Sequence, residues 1–368
     1  MKKKMGILGA LLLVLALAVQ AWGLSICEYR SPKTALTDAR LSFGYRYYDD
    51  ANTAGVEVNS GRLSVDYAQL FDSPSYGFSL GGGAELAFDA FAATGWLGQG
   101  AATFRYYPIQ EALLFAFGGL EGSMATGQPR PGVDVRVGVG VGRFSDVTPL
   151  AKALTIEGDL LGLGAFVDPL PDDVLLGIAG AIGRRIEYET VKGLVADIES
   201  LIEAVTAVEL DARALLTIEE ILLATGDERR CGWAIQAGIG YELIDPFGGA
   251  QNVTVGGSAD AAFAFGPNDQ LVFHASYSGP FDIMNENTLS ASASYEVGVT
   301  EESTLIVEYA LQRVKPDGLP ATASHSAGVS IGFDVAGIDV LVQASFTRDT
   351  GEPGWSTDIS LSAAMDLL

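Results

Sequence analysis

Only two cysteines and two histidines occur in 368 residues, too few and too scattered for a cysteine-rich scaffold or a metal centre. Charged residues make up 18% of the chain, against about 25% in an ordinary soluble domain. Cations are scarcer still, with 22 Lys and Arg against 46 Asp and Glu, a net charge of −24. That balance excludes nucleic acid as a partner, because phosphates require clustered Lys and Arg. After the N-terminus no apolar run approaches the 18 or more residues of a spanning helix, so a helical membrane protein is excluded. Disorder is excluded too, because 48% hydrophobic residues can bury a core. Glycine is plentiful, at 45 residues.

The first segment is read as a secretory signal over residues 1–23. Lys2, Lys3 and Lys4 form a positive start, Ile7 through Val19 an apolar core, and Val19-Gln20-Ala21 or Ala21-Trp22-Gly23 supplies small residues for cleavage. The mature chain, with 19 basic and 46 acidic residues, is therefore exported.

From Ala39 onward apolar residues recur at every second position, the period of a strand with two unlike faces. Leu41, Phe43, Tyr45 and Tyr47 oppose Arg40, Ser42, Gly44 and Arg46. Val133 to Val141 places valine at each odd position against Asp134, Arg136, Gly138 and Gly140. The alternation resumes at Trp233 and continues to Met365, for about fourteen strands, with twelve to sixteen as the range. Gly98 to Tyr107 and Leu113 to Leu120 alternate poorly and count as strands from their boundaries. Strands of about ten residues suffice to cross a bilayer at a tilt. Aromatics gather at strand ends, with Phe71, Tyr76, Tyr106, Tyr107, Trp233 and Phe265 at one rim and Tyr45, Tyr47 and Tyr241 toward the other. Connections after odd strands read as long, Asp89 to Gly95 among them, and those after even strands as tight.

In these features the chain resembles the bacterial outer-membrane β-barrel superfamily. The resemblance implies an all-β transmembrane fold, an antiparallel up-and-down barrel in the outer membrane. It also implies partners in outer-membrane lipid and the barrel-assembly machinery. The chain ends on Asp366-Leu367-Leu368, where such barrels commonly end on an aromatic residue.

Between the sixth and seventh strands the period becomes helical, from Val147 to Glu228. Thr148 and Pro149 read as N-cap and first helical residue, Pro171 opens a second and longer helix through Val205, and a third stops at Gly226. Strand parity makes this insertion periplasmic, and from Lys152 to Glu228 it carries 16 acids and 5 bases. It is read as a brace for the mouth, a plug or gate, or a docking module for a periplasmic or cell-wall partner through residues 147–228. The organisation is then signal 1–23, periplasmic segment 24–37, first half of the barrel 38–145, insertion 146–229 and second half 230–368.

Cys27 and Cys231 both fall on the periplasmic side, where an oxidising compartment favours a disulfide between them. His325 has outward parity beside a loop, and His274 points inward among Ser276 and Ser278, so neither is read as a catalytic base and the chain is read as no enzyme. No cofactor and no metal are called for. Gly138, Gly140 and Gly142 lie within a strand and read as small lumen residues, not a nucleotide loop. The candidate pore-lining residues are Arg40, Arg46, Asp66, Glu85, Arg105, Asp134, Arg136, Glu242, Asp260, Glu296 and Glu308. Acids outnumber bases among them, which predicts mild cation preference in a passive channel for small solutes. The alternative is a closed anchoring barrel whose helices dock an envelope partner.

Overall fold

Fourteen antiparallel strands close into a barrel, each paired with its sequence neighbours and β1 with β14. The computed structural model describes residues 25–31, 34–48, 58–109, 112–224, 228–249, 251–300, 303–334, 339–352 and 354–366. The signal-like segment, Gly226 and the final two residues lie outside these. The strands are β1 (Thr34–Tyr48), β2 (Val58–Asp72), β3 (Tyr76–Asp89), β4 (Ala92–Tyr106), β5 (Leu114–Ala125), β6 (Gly132–Asp146) and β7 (Arg230–Ile244). They continue as β8 (Val253–Gly266), β9 (Asp269–Pro280), β10 (Asn287–Thr300), β11 (Ser303–Lys315), β12 (Thr322–Asp334), β13 (Asp339–Asp349) and β14 (Ser356–Asp366).

The alternation sets the two faces. Val137, Val139, Ile239, Ile359 and Leu361 are all more than half exposed on the outer wall, while the intervening residues line the lumen. Closure leaves no free strand edge, which is the condition for a sheet to sit in lipid. The strands run to 11–15 residues, longer than the ten or so expected, and β1 begins within the segment read as periplasmic. The connection from β3 to β4 is also shorter than expected. Ala90 and Phe91, at φ 48° and 64°, turn the chain in two residues, the left-handed pair of a tight hairpin.

The insertion joins β6 to β7 at the end of the barrel where β1 starts and β14 stops, called here the termini end. Its helices are α1 (Thr148–Leu163), α2 (Asp172–Gly183), α3 (Val191–Thr206) and α4 (Ala212–Leu223). The expected long second helix is two helices. Thr190, extended at φ −142°, accepts a hydrogen bond from Gly193 N and starts α3 afresh, as Asp211 does for α4 through Ala214 N at 2.8 Å. Thr148 does not cap α1. It lies inside the helix, and its backbone N–H donates to Asp146 Oδ1 at 2.9 Å. Its hydroxyl instead bridges to the backbone of Arg229, and Val147 N donates to Arg229 O at 2.9 Å, so the insertion enters and leaves side by side.

The helices bury Leu150, Ile156, Ile178, Leu194, Ile198 and Ile218 completely against one another. Ile26, in the turn ahead of β1, joins that core, and Tyr29 OH donates to Ala179 O at 3.3 Å. Cys27 and Cys231 form the expected disulfide, closing a sequence separation of 204 residues. Gly232, at φ +138°, turns the chain between buried Cys231 and outward Trp233. No described helix is long and apolar enough to cross a membrane.

Candidate functional site

The lumen holds a chamber of about 1540 Å³ that runs from the termini end along β7–β9 to Thr254 and Ser278, and an adjoining one of about 410 Å³ walled by β1–β6. The larger chamber is walled partly by the barrel and partly by the insertion, through Ile182, Arg184, Arg185, Leu222 and Ala224.

Of the candidate pore-lining residues, Arg40, Arg105, Arg136, Asp260 and Glu296 line the larger chamber, and Asp66 and Asp134 the smaller. Glu85, Glu242 and Glu308 line neither. Glu85 lies 3.4 Å from Arg62, Glu242 is the register partner of Asp134, and Glu308 lies beside Gly328. The side chain of Arg46 lies outside the described residues. Sequence reasoning missed Lys152, Arg184, Arg185, Arg229 and Arg230, because they belong to the insertion and its exit, which parity does not reach. It also missed Glu121, which meets Arg136 at 2.8 Å, since β5 turns Phe115 and Phe117 inward and so hides its own alternation.

These additions change the charge balance. Lys and Arg number eight and Asp and Glu seven around the larger chamber, so the predicted acidic excess fails there. It survives in the smaller one, which Asp38, Asp66, Glu121 and Asp134 line and, among the described residues, no lysine or arginine does.

Aromatic rings shape the wall between β5 and β7. A Cβ at Gly140 would fall 2.3 Å from the tip of Phe115, and one at Gly138 2.6 Å from Phe117, so the glycines are the floor on which the two rings lie. Phe115 is fully buried, with Tyr107 edge-on at 5.6 Å between centroids. Tyr107 thus leaves the outer rim where it was expected, and its hydroxyl donates to Asp72 Oδ2 at 3.0 Å. Guanidinium groups cover the rings, with Arg143 4.0 Å from the Tyr107 centroid and Arg105 5.5 Å from that of Phe115. Of the other expected rim aromatics, Tyr76, Tyr106, Trp233, Phe265 and Tyr241 are exposed and Phe71 and Tyr45 are half-buried, while the side chain of Tyr47 lies outside the described residues.

The exit of the insertion is tied to the wall by polar contacts. Arg229, 4% exposed, pairs with Glu296 at 3.2 Å and donates to Pro267 O. Glu228 accepts from Thr37 N at 3.0 Å. Burial pushes the Glu228 carboxyl up to about 7, with Asp146 and Asp38 adding to the rise and the Thr37 hydrogen bond and Arg230 opposing it. His274 meets Asp260 at 2.6 Å inside the lumen, and His325 meets the Tyr309 hydroxyl at 2.8 Å. Among the described residues no group of three His, Cys, Asp or Glu could hold a metal ion.

No family model matches the chain, and no curated protein matches it. Among solved structures it is similar to a loop-deletion form of OmpT, an outer membrane protein of Vibrio cholerae, at 7% identity and TM-score 0.36 over 91% of this chain and 99% of that one. It is similar also to OccK2 of Pseudomonas aeruginosa, at 10% identity and TM-score 0.35 over 91% and 98%. A third is the outer membrane channel DcaP of Acinetobacter baumannii, at 9% identity and TM-score 0.35 over 92% and 99%. These likenesses are distant, and the fold rests on the strand pairing of the chain itself. A closed, antiparallel, fourteen-stranded barrel with its apolar face outward is the architecture of the bacterial outer-membrane β-barrels.

Proposed function

We propose that the protein is an outer-membrane channel for small solutes whose periplasmic mouth is restricted by the helical insertion. The observation that supports this most is the chamber of about 1540 Å³ inside the barrel, which fifteen charged side chains border and whose wall at the termini end includes the insertion. A barrel serving only as an anchor has no need of such a chamber. The insertion meets the barrel through the turn at residues 26–28, which the disulfide ties to β7, and through the backbone hydrogen bond from Val147 to Arg229. That attachment suits a cover held at its edge.

Single-channel recording in planar bilayers tests the reading. The full chain is expected to conduct weakly, and a variant lacking residues 148–224 to conduct severalfold more. No conductance from either would end the channel reading. A docking role for the bundle draws support from Val167 and Leu216, 90% and 59% exposed, and predicts that the full-length protein retains a periplasmic or cell-wall component that the deletion variant loses.

A further inference from the structure

Cations on the outer wall are confined to one sector. At the far end of the barrel, opposite the termini, the described strand Lys and Arg residues that share the parity of the apolar face are Arg313 and Lys315 of β11 and Arg348 of β13. His325 of β12 joins them, in register with Arg348 on one side and Leu311 on the other. Such cross-strand partners have Cβ atoms about 5 Å apart, and Arg313 is the diagonal neighbour of His325, at about 7–8 Å. Lys315 follows two residues along β11, nearer the rim. Elsewhere at this end the outward face presents Trp96, Tyr241 and Leu243.

These groups are held in place yet keep donors free. Arg313 Nη1 donates to Asn287 Oδ1 at 2.9 Å, Lys315 Nζ donates to Met284 O, and His325 Nδ1 meets the Tyr309 hydroxyl. The Arg348 side chain is exposed and makes no hydrogen bond or ion pair among the described residues. Asp282, Glu286, Asp317, Asp349 and Glu352 stand in or beside the connections above, but no described carboxylate forms an ion pair with Arg313, Lys315, His325 or Arg348.

One row toward the middle of the wall, Ala327 lies between Tyr309 and Phe346. A methyl group between two rings leaves a trough in the outer surface, which Val329 continues between Val307 and Ala344. Tyr309, Phe346, Val307 and Val329 are all exposed there. An apolar outward face has acyl chains for neighbours, so cations at its rim meet headgroups. Guanidinium and ammonium donors match phosphate oxygens. A zwitterionic headgroup brings its own cation to the patch, whereas a phosphate monoester does not.

We propose that Arg313, Lys315, His325 and Arg348 bind the phosphate of an anionic membrane lipid at the far rim, with an acyl chain lying in the trough over Ala327. The site is on the outside of the barrel, so it stands whether or not the lumen conducts. Full-length protein in uncharged detergent micelles would be loaded with fluorescent dioleoyl phosphatidic acid. Unlabelled dioleoyl phosphatidic acid, dioleoyl phosphatidylcholine and inorganic phosphate would then compete for the site. Phosphatidic acid should compete about tenfold or more better than phosphatidylcholine, and inorganic phosphate should not displace the probe. Arg313→Gln with Arg348→Gln should weaken phosphatidic acid roughly 25-fold, at about fivefold per cation, and leave phosphatidylcholine unchanged. Ala327→Trp, which fills the trough, should weaken both lipids. Arg348→Gln alone decides the matter if the double variant fails to fold, because that side chain holds nothing in the described fold. Equal competition by the two lipids, or a preference for phosphatidic acid that survives the loss of Arg348, overturns the proposal. Displacement by inorganic phosphate as effective as by phosphatidic acid would mark an anion site without lipid and overturns it too.

Discussion

The insertion and the barrel place the same residue types in opposite ways. In the helices Leu150, Ile156, Ile178, Leu194, Ile198 and Ile218 are wholly buried, while in the strands Val137, Val139, Ile235, Ile239, Ile359 and Leu361 are 53–73% exposed. A helical period gathers apolar side chains on one stripe that another helix must cover. A period of two puts them on one face of a sheet, and closure of the sheet leaves that face outward. The bundle answers to water and the wall to lipid, so the hydrophobic content of the chain divides into a core and a coat.

Breaking the core of the bundle should have the largest effect. Ile198→Asp would bury an unpaired carboxylate and cost about 4 kcal/mol or more. It should melt the helices while the barrel survives, read as new protease sites within residues 148–223 and an unchanged β-sheet circular dichroism signal. Loss of the sheet signal as well would show that the two regions are not separable. Next comes the staple between them. Cys27→Ser should lower stability by about 2–4 kcal/mol, measured by denaturant titration under oxidising conditions. A change within error would mean that the turn at residues 26–28 is held without the disulfide.

On the coat, Val139→Arg at the middle of β6 should cost about 2–4 kcal/mol for refolding into lipid vesicles. Its inward neighbour Gly138 gives the contrast, since a side chain there meets Phe117 and the backbone of β7 and fails by sterics in any solvent. An unaffected Val139→Arg variant would place that face in water.

The smallest effect concerns the seam. Glu228 holds its proton more tightly in the fold, at about 7 against 4.5, so its contribution is full at acidic pH and is lost as pH rises from about 4.5 through about 7. Glu228→Gln should flatten the pH dependence of stability in that window, compared by denaturation at pH 5 and pH 8. An unchanged slope would assign the dependence to other groups.

The barrel was legible because lipid enforces the alternation strand by strand, and the disulfide because only one pairing of two cysteines exists. Other features needed three dimensions. The β3–β4 turn was misjudged because Ala90 and Phe91 adopt left-handed backbone that neither residue advertises. The break at Thr190 was hidden because apolar spacing continues across it, and only the cap stops the helix. Tyr107 looked like a rim aromatic, but a buried carboxylate at Asp72 draws it inward. The cationic side of the larger chamber was invisible to parity, since Arg184, Arg185, Arg229 and Arg230 come from the insertion and its exit.

Thiol labelling of two neighbouring positions on β8 tests most directly the claim of a lipid-facing coat around a water-filled chamber. Ser258 lines the larger chamber, and Ala259 follows it on the opposite face. In proteoliposomes, a membrane-impermeant maleimide small enough to pass the far mouth should modify the variant carrying Ser258→Cys and spare the one carrying Ala259→Cys. Equal labelling, or labelling of the Ala259→Cys variant alone, would contradict the account.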